Sequence, residues 1–188
     1  MTGGIGLCGG HRTGKTTLAN RIAEAVGVPF LKTDTSRVFA DHGIHPSDPM
    51  DAATRLAIQW EVVKAAETIW QESSGPFITD RTPVDMMAYT LADIRGDTRM
   101  PYENLADYLA HCFEATNRFF NRLIIVQPGI PLIYEEGKAA LNQAYIEHLN
   151  AVILGLCRDE RLTVLSSVIP RDKTDLAGRI AAGVKSLN

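Results

Sequence analysis

Short apolar runs alternate with longer stretches of helical period along this 188-residue chain, and the two patterns predict different elements. The runs predict strands at Ile5–Cys8, Phe30–Lys32, Phe77–Asp80, Leu123–Val126 and Leu162–Leu165. Between them, Leu18, Ile22 and Val26 share one face of a helix predicted from Thr16 to Val26, which Gly27 and Pro29 end. A long helix is predicted from Asp51 to Glu72, with Leu56, Trp60, Val63 and Trp70 on one side and Ile58, Val62 and Ile69 on another. Apolar residues on two sides imply that this helix is largely buried. Its N-cap is Asp48 or Asp51, after the proline-containing segment GIHPSDPMD, and Ser73-Ser74-Gly75-Pro76 stops it. Further helices are predicted at Pro83–Ile94, where Pro83 suits the first turn, at Tyr102–Phe120, at Lys138–Arg158, and from Thr174 onward. RGDTRMP reads as an exposed basic loop and QPGIPLIYEEG as an irregular segment of lid length. Five strands alternating with helices make an α/β fold with a mainly parallel sheet, and no linker divides it, so residues 1–188 read as one domain. Ligands of such sheets bind outside the carboxyl ends of the strands.

The first strand runs directly into GGHRTGKTT, residues Gly9, Gly10, His11, Arg12, Thr13, Gly14, Lys15, Thr16 and Thr17. This is the pattern G-x-x-x-x-G-K-[ST] between a strand and a helix, the spacing of a phosphate-binding loop. A polyphosphate carries several negative charges and is wrapped best by backbone N–H groups, which glycines leave accessible. The following helix aims its unsatisfied N–H groups and the positive end of its dipole at the same anion. Lys15 is placed for the β and γ phosphates and Thr16 for Mg²⁺. His11, Arg12 and Thr13 fill the variable positions and read as loop surface, with Arg12 able to touch a phosphate.

Composition narrows the function classes. A net charge of −3 supplies no global basic field for nucleic acid, so any DNA contact has to be local. Cys8, Cys112 and Cys157 lack metal or disulfide spacing and read as small buried residues of a reducing compartment. No apolar run is long enough for a membrane span, and the chain starts without a signal peptide, so a cytoplasmic location is expected. His42, His45, His111 and His148 have no metal-ligand spacing.

The third strand ends in FITDRTPVDMMAY. An acid at a strand's carboxyl end can hold Mg²⁺ or accept the proton of an attacking hydroxyl, which makes Asp80 the candidate; the alternative is a cap for the helix starting near Pro83. Arg81 can hold an acceptor phosphate or stabilise transferring charge, or serve as a structural ion pair. Asp85 either joins Asp80 near the metal or stands exposed in the first turn of that helix. Asp34 is a second candidate base or a turn cap. Arg95 and Arg99 flank a Gly-Asp turn and can contact phosphates or stand solvated.

With these two motifs the sequence resembles the P-loop nucleoside and nucleotide kinases: GGHRTGKTT corresponds to their phosphate loop, and the Asp80-Arg81 pair to the Asp-Arg or Glu-Arg of thymidylate and deoxynucleoside kinases. The resemblance implies a P-loop NTPase three-layer sandwich with strand order 2-3-1-4-5, ATP as donor with Mg²⁺, and an acceptor between the sheet and the helices after strands two and three. It places Arg37 and Gln59 on the acceptor side and Arg171 against adenine. The chain departs from thymidylate kinases in having Thr33-Asp34-Thr35-Ser36-Arg37 after strand two, and Lys138 as the only cation of Gln127–Ala140. In size and motif order it is also similar to a phage branch that phosphorylates 5-hydroxymethyluracil in DNA. The expected acceptor is therefore a pyrimidine deoxynucleotide, free or within modified DNA, and for a phage protein the compartment is the host cytoplasm. The contrasting expectation is a regulatory ATPase that signals through a protein partner. Oligomeric state is left open.

Overall fold

The apolar runs become five parallel strands: β1 (Gly4–Cys8), β2 (Phe30–Leu31), β3 (Ile78–Thr79), β4 (Phe120–Val126) and β5 (Leu165–Ile169), in the order β2-β3-β1-β4-β5. The computed structural model describes residues 3–33, 35–45, 48–134 and 141–187, with the backbone alone at 35 and 36. The helices are α1 (Lys15–Val26), α2 (Thr35–Asp41), α3 (Ala52–Gln71), α4 (Pro83–Ala92), α5 (Tyr102–Phe119), α6 (Gln143–Leu156) and α7 (Leu176–Lys185).

Alternation along the strands splits the core between two faces, because successive side chains of a strand point oppositely. Ile124 and Val126 of β4, with Ile5 and Leu7 of β1, pack under α1 and α7. Leu123 and Ile125, with Cys8, pack on the other side with buried residues of α3, α4, α5 and α6. The result is the expected three-layer sandwich. Helix α3 buries Leu56, Ile58, Val62, Val63 and Trp70 and covers Trp60 and Ile69 in part, but it keeps an exposed polar side and is not largely buried as its apolar residues suggested. Its N-cap is Asp51, which accepts from the Thr54 N–H at 2.9 Å, whereas Asp48 accepts from the His45 N–H.

Several boundaries differ from the sequence expectation: α6 spans Gln143–Leu156 where Lys138–Arg158 was expected, and α4 ends at Ala92 rather than Ile94. The segment after β2 turns into α2, a helix that the run Thr33–Arg37 did not suggest. Strand β4 starts at Phe120, earlier than expected, its first residues interrupted by Asn121 and Arg122. Strand β5 runs Leu165–Ile169 rather than Leu162–Leu165. Asn117 of α5 is the reason: its side chain accepts from the Thr163 N–H (2.9 Å) and donates to the Arg161 carbonyl (2.8 Å). Those backbone groups are satisfied by a side chain, so the ladder with β4 begins only at the Arg122–Leu165 pairing.

Cys8, Cys112 and Cys157 are free thiols in the core, as expected, and the fold brings the Cys8 and Cys157 sulfurs to 4.0 Å. Among the described residues no helix is long and apolar enough to cross a membrane.

Candidate functional site

Strand β1 is buried throughout and delivers the glycine loop to the carboxyl edge of the sheet, between β3 and β4. Two glycines are required there for different reasons. A Cβ on Gly9 would stand 2.5 Å from the Val126 carbonyl oxygen, so only glycine lets β1 leave the sheet beside β4. Gly14 has φ 77° and N-caps α1 in the left-handed region that favours glycine. Arg12 also lies there, at φ 62°, a conformation that side chains rarely adopt and that persists where the surroundings hold it.

The loop carbonyls are tied off from within. Lys15 Nζ donates to the carbonyls of Gly9 (2.5 Å) and Gly10 (2.8 Å), and Thr13 Oγ1 donates to Gly10 (2.8 Å). Lys15 and Thr13 are buried, so Thr13 is an internal brace and not the surface residue that its place in the motif suggested. Burial lowers the Lys15 pKa from its ordinary value; Asp85 and Asp80 oppose the shift and Arg81 adds to it. Thr16 is exposed and donates to Asp80 Oδ2 at 2.5 Å. The other carboxylate oxygen, Asp80 Oδ1, is buried and has no hydrogen-bond partner among the described residues. A hydroxyl and a carboxylate with an unsatisfied oxygen suit Mg²⁺, which prefers hard oxygen ligands and keeps several from water and phosphate. Among the described residues no cluster of three or more His, Cys, Asp or Glu side chains is arranged to hold a metal. Thr16 and Asp80 would therefore be its protein ligands.

Asp80 does not cap α4. That role belongs to Thr82, in a reciprocal pair with Asp85: Asp85 Oδ2 accepts from the Thr82 N–H and hydroxyl, each at 2.9 Å, and the Thr82 hydroxyl accepts from the Asp85 N–H at 3.4 Å. Asp85 is fully buried, which corrects its reading as an exposed first-turn acid, and its Oδ1 accepts from the Gly9 N–H at 2.8 Å. The cap of α4 thus fixes the entrance of the glycine loop. Burial raises the Asp85 pKa, against the pull of Lys15 and Arg81. The spacing Thr82-Pro83-Val84-Asp85 is a capping-box pattern, a local signal sufficient to find this pair.

Arg81 is half-buried, its guanidinium 5.6 Å from the centre of the Tyr89 ring. Tyr89 adjoins His11, with the hydroxyl 3.3 Å from Nδ1, and the His11 ring also lies 5.8 Å from that of Tyr145. Tyr145 reaches Asp93, which pairs with Arg55 at 3.0 Å; burial first, then Asp93, pushes the Tyr145 hydroxyl up to about 12. His11 is accordingly half-buried among aromatic rings rather than loop surface. Tyr89, Tyr145, Asp93 and Arg55 come from three helices, and no local pattern marks them as neighbours.

The remaining candidates lie around this centre. Arg37 is exposed on α2, and Gln59 is buried on α3. Arg171 makes a two-pronged pair with Glu147 of α6, both contacts 2.6 Å, which holds the Glu147 carboxyl below its usual range. Arg95 and Arg99 are exposed beyond α4. Asp34 and Lys138 lie outside the described residues.

A glycine loop between β1 and α1, on a parallel sheet of order β2-β3-β1-β4-β5, is the P-loop kinase fold. The chain belongs to the AAA domain family, which matches residues 5–122 and so takes in the glycine loop and the Asp80-Arg81 strand end. Among solved structures, a deoxyadenosine kinase from M. mycoides with products dCMP and a flexible dCDP bound has a TM-score of 0.70 at 15% identity, with 98% of each chain covered. NadR in complex with NR has a TM-score of 0.67 at 14% identity, over 99% of this chain and 50% of NadR. Thymidylate kinase from Ehrlichia chaffeensis has a TM-score of 0.64 at 13% identity, with 98% of each chain covered. At these identities the likeness is one of fold. No curated protein matches the sequence.

Proposed function

We propose that the chain is an ATP-dependent phosphotransferase, one domain over residues 1–188, whose acceptor is a pyrimidine deoxynucleotide. That acceptor is either a free nucleotide or the hydroxymethyl group of 5-hydroxymethyluracil in phage DNA, and the working compartment is the cytoplasm. The observation that carries the reading is the Thr16–Asp80 contact of 2.5 Å at the mouth of the glycine loop, beside Lys15 and directly before Arg81. A loop that only binds a nucleotide has no need of an acceptor-side arginine at this point.

Lys15 and the loop N–H groups of Gly9–Thr17 hold the donor phosphates. Thr16 and Asp80 hold Mg²⁺, which neutralises charge on the transferring group. Where the acceptor is a hydroxyl, Asp80 is also the base for its proton. During transfer the bond between the γ phosphorus and its bridging oxygen breaks, ADP leaves, and a bond to the acceptor oxygen forms; a phosphate acceptor attacks as its anion, whereas a hydroxymethyl acceptor gives its proton to Asp80. This chemistry asks mainly for positioning and charge stabilisation from the protein. Arg81, Arg37 and Gln59 hold the acceptor, and Arg171 borders the adenine. The rings of His11, Tyr89 and Tyr145 form one half-buried aromatic cluster beside Arg81.

Radiolabelled ATP offered with deoxynucleosides, deoxynucleotides and hydroxymethyluracil-containing DNA tests the reading. Label is expected in a deoxynucleotide or in the modified DNA. Release of inorganic phosphate alone, stimulated by a protein partner, would replace it with the regulatory ATPase.

A further inference from the structure

Helix α7 lies on α1 through Ile180 and Val184, which pack against the cluster containing Leu18 and Ile22. This docking carries Arg179 to the outer side of the glycine loop. Of the two charged residues of α7, Lys185 is exposed, whereas Arg179 is only 4% exposed. Its Nη2 donates to the Thr13 carbonyl at 2.7 Å, and its Nη1 lies 3.1 Å from where a Cβ on Gly14 would stand. Gly14 is thus confined by a guanidinium as well as by its backbone conformation.

Among the described residues nothing compensates this charge. A guanidinium offers five N–H donors, and among the described residues Arg179 has one acceptor, a neutral carbonyl. The nearest acid in sequence, Asp175, caps α7 by accepting from the Gly178 N–H at 2.7 Å. Arg179 lies in the first turns of α7, where the helix dipole disfavours a cation. Burial opposes its charge, and among the described residues no carboxylate counters that effect. A buried ion of this kind is expensive unless a negative group stands close by. An anion seated in the glycine loop would be such a group.

We infer that Arg179 is a positioning residue of the donor site: it sets the Thr13–Gly14 turn from behind and has the phosphates of the bound nucleotide as its counter-charge. Nucleotide binding and the seating of α7 are then coupled through one side chain. The inference rests on the loop being a polyphosphate site, the reading given above. A purely structural brace makes the opposite prediction: its loss would weaken the free protein and leave the distinction between ATP and adenosine untouched.

The test is thermal unfolding and calorimetric titration of the full chain with Mg·ATP and with adenosine, for the native protein, Arg179→Met and Arg179→Lys. Ligand-free Arg179→Met is expected to unfold at or above the native temperature, since it removes an uncompensated buried charge. Its Kd for ATP should rise about tenfold while that for adenosine stays the same, and Arg179→Lys should recover most of the loss. An Arg179→Met protein that fails to fold, or melts lower while binding ATP as the native protein does, would overturn the inference and leave Arg179 a structural brace. Absence of any Mg·ATP binding by the native chain is a separate result, which would remove the donor-site reading and this inference with it.

Discussion

Lys15 is the residue at which burial and charge are most opposed. The residue is 8% exposed and its amine is bonded to two carbonyls, yet the role proposed for it requires the ammonium form. Because burial lowers its pKa from 10.5, Lys15 in the free loop loses its proton below that value as pH rises. Bound phosphates favour the charged form, so ATP binding in that alkaline interval should take up protons, and affinity should fall as pH rises through it. Titration calorimetry in alkaline buffers of different ionisation enthalpy reads the uptake directly, and Lys15→Met should abolish it. Lys15→Ala should nearly abolish phosphoryl transfer and retain the fold; turnover preserved in a folded Lys15→Ala protein would sink the site assignment. Asp80 presents the complementary case, with one oxygen on Thr16 and the other without a partner among the described residues. Asp80→Asn should lower kcat by about a hundredfold or more and change ATP binding much less. Weak ATP binding with normal turnover at saturation would confine Asp80 to the donor site.

At the level of elements, the cap of α4 and the start of the glycine loop form one unit, joined by Asp85. Thr82→Ala removes the N-cap hydroxyl and one of the donors that satisfy the buried carboxylate. Loss of a cap costs about 0.5–2 kcal/mol, and a less satisfied buried carboxylate adds about 1–3 kcal/mol. Thr82→Ala should therefore destabilise the protein by about 2–4 kcal/mol in chemical denaturation. It should also raise the KM for ATP, because Asp85 holds the Gly9 N–H. Thr82→Ser should restore most of both. A Thr82→Ala protein with lowered stability and an unchanged KM would show that the cap and the loop are independent.

For the whole molecule, Mg·ATP at a hundredfold excess over its Kd should stabilise the native chain by about 2.7 kcal/mol, a shift that Lys15→Ala should largely lose. The net charge of −3 sets a condition on a DNA acceptor. A DNA substrate can be held through few phosphates, with Arg95 and Arg99 exposed and available, so its binding should be weak and fall steeply with salt. The target base has to leave the stack to reach a site at the sheet's edge, at a cost of a few kcal/mol. If DNA is the acceptor, Arg95→Ala with Arg99→Ala should reduce labelling of hydroxymethyluracil-containing DNA and leave ATP affinity unchanged. Efficient phosphorylation of free dTMP with no label in modified DNA would reject DNA. The sequence by itself determined what depends on near neighbours along the chain: the glycine loop, its lysine and hydroxyl, the Asp80-Arg81 strand end, and the alternation of strand and helix. Those features act through backbone conformation and periodicity, which are local. Tertiary structure alone decided the start of β5, set by Asn117 from another element, the burial of Arg179 behind the loop, and the grouping of His11 with Tyr89 and Tyr145. These depend on which helices are packed against the sheet and against each other, and no spacing of residues along a single element records that.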